Sequence, residues 1–300
     1  MENTNVKTNT VSAQKKYKKR TPMGEVWHRL RKNKGAMVGG AFVVLLVFVA
    51  LFRDVLYDYD TQIVMQDLSQ RFIHPCWEHP FGTDNLGRDL FARIVYGAGS
   101  SLPVGVVAVL VALVLGLPLG AVAGFFGGKI DDVIMRIMDI FAAVPGILMA
   151  IAMVAVLGTG TVGLMISIGV TAVPSFARIT RAAVLSVRNQ EFVEAARAIG
   201  CNNLDIIFKH VIPNCLSPIV VQVSLRIGNS IITASSMSYL GLGVTPPMPE
   251  WGNLLSAGRT YIKDYSYLTM FPGLVIMLTV IAFNLLGDGL RDAMDPKLKK

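Results

Sequence analysis

The sequence predicts an all-α membrane protein with six transmembrane helices. Three observations predict it. First, 53% of the 300 residues are hydrophobic and 16% charged, with a mean hydropathy of +0.53, too apolar for an ordinary soluble domain. Second, six apolar intervals approach the length that crosses a bilayer: 36–52, 102–125, 140–158, 161–178, 216–237 and 268–288. Third, the basic residues are one-sided. Of 28 Lys and Arg, 21 fall in 1–35, 126–139, 178–215 and 289–300, against six in 53–101 and 238–267, with Arg226 the remaining one. Basic loops stay on the cytoplasmic side, so both termini and 178–215 are expected inside and 53–101 outside. The net charge of +8 thus reads as membrane orientation rather than nucleic-acid binding.

In order, residues 1–25 form a polar cytoplasmic tail with the run KKYKKR at 15–20, open to lipid headgroups or a partner. Residues 26–97 comprise an interfacial helix, the first span and an extracytoplasmic segment. Within 24–34 the pattern is that of a short amphipathic helix, with Trp27 and Leu30 on the membrane surface. Residues 98–288 form the main membrane domain, with a cytoplasmic loop at about 183–215, and 289–300 form a cytoplasmic tail. In the second span Gly116, Gly120 and Gly124 recur every fourth residue, which allows either close helix packing or a merely flexible helix end.

The cytoplasmic loop is too structured for a plain connection. Phe192, Ala195, Ala196 and Ile199 share one helical face, and Glu191, Glu194 and Arg197 take the other. Gly200 stands where a left-handed stop belongs, and Asn203 can cap a second short helix, Leu204 to His210, before Pro213. The spacing Glu194-Ala195-Ala196, three residues, Gly200, and an ending Ile212-Pro213 resembles the EAA loop of ABC importer permeases. The resemblance implies a type I ABC importer-like permease fold. It also implies a loop that docks on a cytoplasmic ATPase, here through Glu194, Ala195, Ala196, Gly200, Ile212 and Pro213.

Two further blocks narrow the class. His79-Pro80-Phe81-Gly82-Thr83-Asp84-Asn85-Leu86-Gly87-Arg88-Asp89 resembles the outer-loop block of the dipeptide, oligopeptide and nickel permeases. Asp84, Arg88 and Asp89 are close enough in sequence for a local charge network, with Gly82 and Gly87 permitting tight turns and His79 and Thr83 completing the block. That class usually has Arg at the place of Gly99. Ser238-Tyr239-Leu240-Gly241-Leu242-Gly243 with Pro246-Pro247, Pro249 and Trp251-Gly252 resembles a third block of the same class. Here Glu250 replaces the common Ser, Ala234 stands where Glu is common, and Trp251 is expected as an interface anchor.

Arg226 lies inside the fifth span, where a charge must face protein or water. It is a candidate for the translocation path, with the subunit interface or a snorkelling position as alternatives. No phosphate-binding GxxxxGK[ST] motif occurs: Gly127-Gly128-Lys129 is followed by Ile130. His74, Cys76 and His79 resemble a metal-ligand set, but Pro75 and Pro80 restrict it and no metal or other cofactor is expected. Cys76, Cys201 and Cys215 form no CxxC pair, and no catalytic constellation is present. The resemblance implies a non-enzymatic permease in a bacterial cytoplasmic membrane, partnered by a second permease, two ATPase subunits and an extracytoplasmic solute-binding protein. Di- or oligopeptides are the expected substrate, with nickel or a metal chelate as the alternative; a secondary transporter is the competing class.

Overall fold

The computed structural model describes residues 22–294; the Lys-rich run at 15–20 and the last six residues lie outside the described residues. The described chain is helical almost throughout. Helix α1, Pro22–Leu30, leads into α2, Lys34–Leu56, through an Asn33 cap that accepts the Ala36 N–H. A loop, 57–89, follows, containing a π-helical turn at Tyr59–Val64 and a 3-10 turn at Leu68–Gln70. Helix α3 runs Leu90–Phe126, 37 residues or about 55 Å. Then come α4, Gly128–Ala143; α5, Gly146–Leu157; and α6, Thr161–Val187. The next polar stretch holds α7, Glu191–Ala198, and the one-turn helices α8, Asn203–Asp205, and α9, Ile212–Asn214, separated by a π-helical stretch at Ile206–Val211. Helices α10, Leu216–Tyr239; α11, Trp251–Gly258; and α12, Tyr267–Met294, complete the chain.

Five of these are long and apolar enough to cross a membrane: α2, α3, α6, α10 and α12. The expected third span, 140–158, is not one straight helix. It is divided between α4 and α5, which meet at 91°. Pro145 has no N–H and forces Val144 out of helical geometry, to φ −86 and ψ 130. The sixth crossing therefore exists only as a broken pair.

Helices α3 and α6 run side by side in the same direction, and the glycine stripe is their seam. A Cβ on Gly116 would lie 2.8 Å from the Val173 carbonyl oxygen, and one on Gly124 would lie 2.9 Å from that of Arg181; Gly120 faces the Ala177 carbonyl in the same way. The glycines thus serve close packing, and the flexible alternative falls away. At one end of α3, Leu90, Ile94, Ala98 and Leu102 pack with Ile231, Trp251, Leu254 and Tyr267. At the other, Ala121 and Phe125 pack with Val184 and Val187 of α6 and with the 191–214 stretch. The two loops of interest therefore occupy opposite ends of the bundle. In α1, Trp27 is exposed as expected for a surface helix, but Leu30 is buried against Ala36 and Ala293.

Candidate functional site

The 191–214 stretch is built as a bracket on the ends of α3 and α6. Glu191 and Glu194 occupy the first turn of α7, where carboxylates favour a helix start. The helix closes with a paired stop. The Gly200 N–H donates to Arg197 O at 3.0 Å, and the Cys201 N–H to Ala196 O at 3.1 Å. Gly200 takes φ +84 to do so, in open space. The next helix is capped by Asn202, whose Oδ1 accepts the Leu204 N–H, rather than by Asn203 as expected. That helix also widens into a π-helical turn. Pro213 has no N–H to offer Lys209, and the Ile212 N–H reaches back to Ile207 O.

The buried face differs from the one expected. Val193 and Ala196 are buried, with Phe192 half-buried, against Ala121, Phe125, Val184 and Val187; Ile206, Ile207 and Val211 join them. Arg197 adds a cation–π contact, its guanidinium 5.1 Å from the Phe125 ring centre. Ala195 and Ile199 point outward. Ile199 (80% exposed), Leu204 and Phe208 are uncovered, as are Glu194 and Pro213, while Ile212 is half-buried. Single exposed apolar residues are ordinary; this group sits on a stretch whose inner face is already satisfied.

The 57–89 loop is held by hydrogen bonds centred on Thr83, Asp84 and Asp89. Asp84 Oδ1 accepts the Leu86 and Arg88 N–H groups at 2.8 and 3.0 Å, and Oδ2 accepts Arg88 Nε at 2.8 Å. Arg93 approaches the same oxygen at 3.9 Å and donates to Ile63 O at 3.0 Å. Asp89 does not join this network. Its Oδ1 caps α3 at the Ala92 N–H, and its Oδ2 lies 2.7 Å from His79 Nδ1. The fully buried Thr83 hydroxyl donates to Gln70 O and accepts the Ile73 N–H, while the Tyr267 hydroxyl donates to Thr83 O at 2.9 Å. Gly82 and Gly87 take φ +77 and +76, the latter against the Asp67 carbonyl.

Among the described residues no group of three His, Cys, Asp or Glu side chains could hold a metal. His79 is held by Asp89, the His74 ring lies against Tyr265 and Tyr267, and Cys76 accepts the His79 N–H. The place of Gly99 is filled from another helix. The Arg53 side chain passes over it, with its guanidinium 4.8 Å from the Tyr96 ring centre. Sequence reasoning missed Arg53; its only signal was a lone cation at the end of the first span.

Trp251 is not an interface anchor. It is fully buried, and its Nε1 donates to Ile94 O at 2.9 Å. Glu250 beside it is 1% exposed and caps α11. Its carboxylate accepts the Gly252 and Asn253 N–H groups, both at 3.0 Å, and the Ser101 hydroxyl at 3.2 Å. Burial pushes the Glu250 carboxyl above its ordinary range, against the opposing pull of those donors. Ala234 is buried with Val104, Ala108 and Met237. Arg226, in the middle of α10, donates to Ser175 Oγ at 2.5 Å, and Gln222 Nε2 donates to the same oxygen at 3.1 Å.

Residues 116–300 match the family described as binding-protein-dependent transport system inner membrane component, and residues 21–75 match the N-terminal TM domain of oligopeptide transport permease C. A glutathione transport system permease protein of Pectobacterium atrosepticum is 45% identical over 280 residues, 93% of each chain. A dipeptide transport system permease protein of Alkalihalophilus pseudofirmus is 46% identical over 279 residues, 93% of this chain and 91% of that one. Among solved structures, the inward-facing MetNI methionine ABC transporter aligns with a TM-score of 0.56 at 20% identity, covering 68% of this chain and 97% of the other, a likeness of fold.

Proposed function

The chain belongs to the binding-protein-dependent transport system inner membrane component family, and on that premise we propose that it carries peptides inward and is driven through its 191–214 stretch. As a member of that family it is a multi-pass permease subunit of an ABC importer, not a catalytic one. Its partners are a second, related permease, two ATPase subunits and an extracytoplasmic solute-binding protein. The 191–214 stretch and both termini face the cytoplasm, and the 57–89 loop faces outward.

One observation carries the coupling reading: the 191–214 stretch is seated on α3 and α6 through its buried face, yet keeps Ile199, Leu204 and Phe208 uncovered and Glu194 exposed. A satisfied inner face with an apolar outer one fits a lever that receives a partner's groove. Closure of the ATPases on ATP then displaces the stretch, and the attached helices rock between inward and outward access. The outer loop, held by the Asp84–Arg88 and His79–Asp89 pairs, serves as a fixed platform for the binding protein. Relatives whose names give dipeptide and glutathione transport support a short peptide or glutathione as substrate. Nickel or a metal chelate is the alternative substrate.

Co-purification tests the assembly. Stoichiometric ATPase subunits should accompany the chain from detergent, with hydrolysis stimulated by a peptide-loaded binding protein; transport by the chain without ATPases would instead make it a secondary transporter. Orientation is tested by an impermeant thiol reagent on intact cells. It should label the exposed Cys76 and spare Cys201, and the reverse pattern would invert the topology.

A further inference from the structure

Arg226 stands eleven residues into the 24-residue α10, and Ser175 near the middle of α6, so their contact lies at mid-depth of two membrane helices. Among the described residues no carboxylate lies within ion-pair distance of Arg226; its neighbours are the neutral Ser175 and, through that hydroxyl, Gln222. The contrast with α6 is informative. Arg178 pairs with Asp139 at 2.9 Å and Arg181 with Asp131 at 2.5 Å. These two arginines of α6 are thus neutralised by carboxylates, and Arg226 on α10 is not. An arginine in a bilayer interior is costly and persists where water or an anion meets it.

Gln222 also lines a cleft of about 400 Å³ between α6, α10 and α12, whose walls include Ser217, Leu225 and Arg291. Its charged wall is cationic. Ser217 is in the first turn of α10 and Arg291 in the last turn of α12, so the cleft lies toward the end of the bundle that carries the 191–214 stretch. The guanidinium is a planar donor with more N–H groups than Ser175 occupies, suited to a carboxylate. Two further donors are at hand: the second N–H of Gln222, and the Arg291 guanidinium along the cleft.

We propose that Arg226, oriented by Ser175 and flanked by Gln222, is a carboxylate-binding station on the translocation path, receiving the C-terminal carboxylate of a peptide and releasing it along the cleft toward Arg291. This rests on the peptide-import reading. A station of this kind binds by charge and paired donors without recognising side chains, so it accepts peptides of varied sequence. On the proposed orientation the cleft leads toward the cytoplasmic end of the bundle, and release would follow there as hydration weakens the ion pair.

The test uses the whole importer, reconstituted in proteoliposomes with its second permease, ATPases and binding protein, and dialanine as probe. Arg226→Gln should lower uptake about tenfold or more, the usual scale for removing one partner of a desolvated charge pair. Subunit composition and basal ATP hydrolysis should be retained, and Arg226→Lys, which keeps the charge but not the planar donor pair, should recover part of the uptake. Wild-type uptake by Arg226→Gln overturns the station. So does Arg226→Lys uptake no better than that of Arg226→Gln, since charge is one of the two things by which the station binds. Loss of subunit association in both variants assigns Arg226 to the interface between permeases and also overturns it. A wild-type complex that imports neither dialanine nor glutathione sinks the peptide-import reading and the station with it, an outcome distinct from the other three.

Discussion

The 57–89 loop and the 191–214 stretch are both long connections between membrane helices, and they are finished to different degrees. In the first, Asp84, Asp89 and Thr83 each satisfy two or more groups of the same chain, and Gly87 has no room for a side chain. In the second, the backbone is as well capped, but Gly200 faces open space. Both connections leave three large apolar side chains uncovered, Met65, Leu68 and Trp77 in the first and Ile199, Leu204 and Phe208 in the second. What separates them is how far the chain uses its own polar side chains to lock its backbone: Thr83, Asp84 and Asp89 do so in the outer loop, and the 191–214 stretch relies on its apolar seat on α3 and α6.

The sharpest contrast is between two of the positive-φ glycines, Gly87 and Gly200. Gly87→Ala places a Cβ against the Asp67 carbonyl at φ +76 and should cost more than about 3 kcal/mol, read as lost yield of monodisperse protein. Near-normal yield would show that the outer loop has slack. Gly200→Val meets only the backbone penalty of φ +84, about 1–2 kcal/mol. Insertion and yield should stay near normal, while ATPase-subunit retention falls or stimulation by the loaded binding protein disappears. Full stimulation in the intact Gly200→Val complex would remove this turn from the coupling geometry.

Glu250 tests the finished end by pH. Its folded-state carboxyl titrates above the unfolded range, so the folded protein holds the proton more tightly. The stability this contributes is complete below the unfolded value and is lost as pH rises through the folded one. Glu250→Gln removes the dependence, so its melting midpoint should gain on wild type as pH rises from about 4 to 8. Parallel curves would mean that the carboxylate is already compensated. The smallest effect on the chain itself is expected for Phe208→Ser. Half-exposed Phe208 should change stability by less than about 0.5 kcal/mol. Its effect should appear in ATPase retention, and unchanged retention would contradict an occupied outer face.

Local signals in the sequence reported local structure only in part. Gly200 after a periodic run gave a left-handed stop, but the next helix is capped by Asn202 rather than Asn203, and Asp89 caps α3 instead of joining Asp84 and Arg88. What stayed hidden was decided over long separations. Trp251 looked like an interface anchor because Ile94, the acceptor for its ring N–H, lies 157 positions away. Arg53 could not be matched to Gly99 without knowing that α2 packs on α3. The face of α7 was misassigned because helical period identifies apolar stripes but not which one the chain itself covers. That residue set was too rich for one contact, and Ala195 and Ile199 were left over. The break at Pro145 was visible as a proline but was outweighed by hydropathy, which measures solubility in lipid and not straightness.

The glycine seam between α3 and α6 has a consequence for how displacement travels. Where backbones touch without intervening side chains, no rotamers are available to absorb a shift. Under the proposed coupling, a push on the 191–214 stretch, seated on the last turns of both helices, would reach α3 and α6 together through this seam. Some 55 Å along α3, past Pro118 and Pro103, lie the Asp89 cap and the outer loop. A small tilt at the driven end becomes a larger sweep at the far end, in proportion to length. The loop's stiffness then keeps the sweep from being lost as bending.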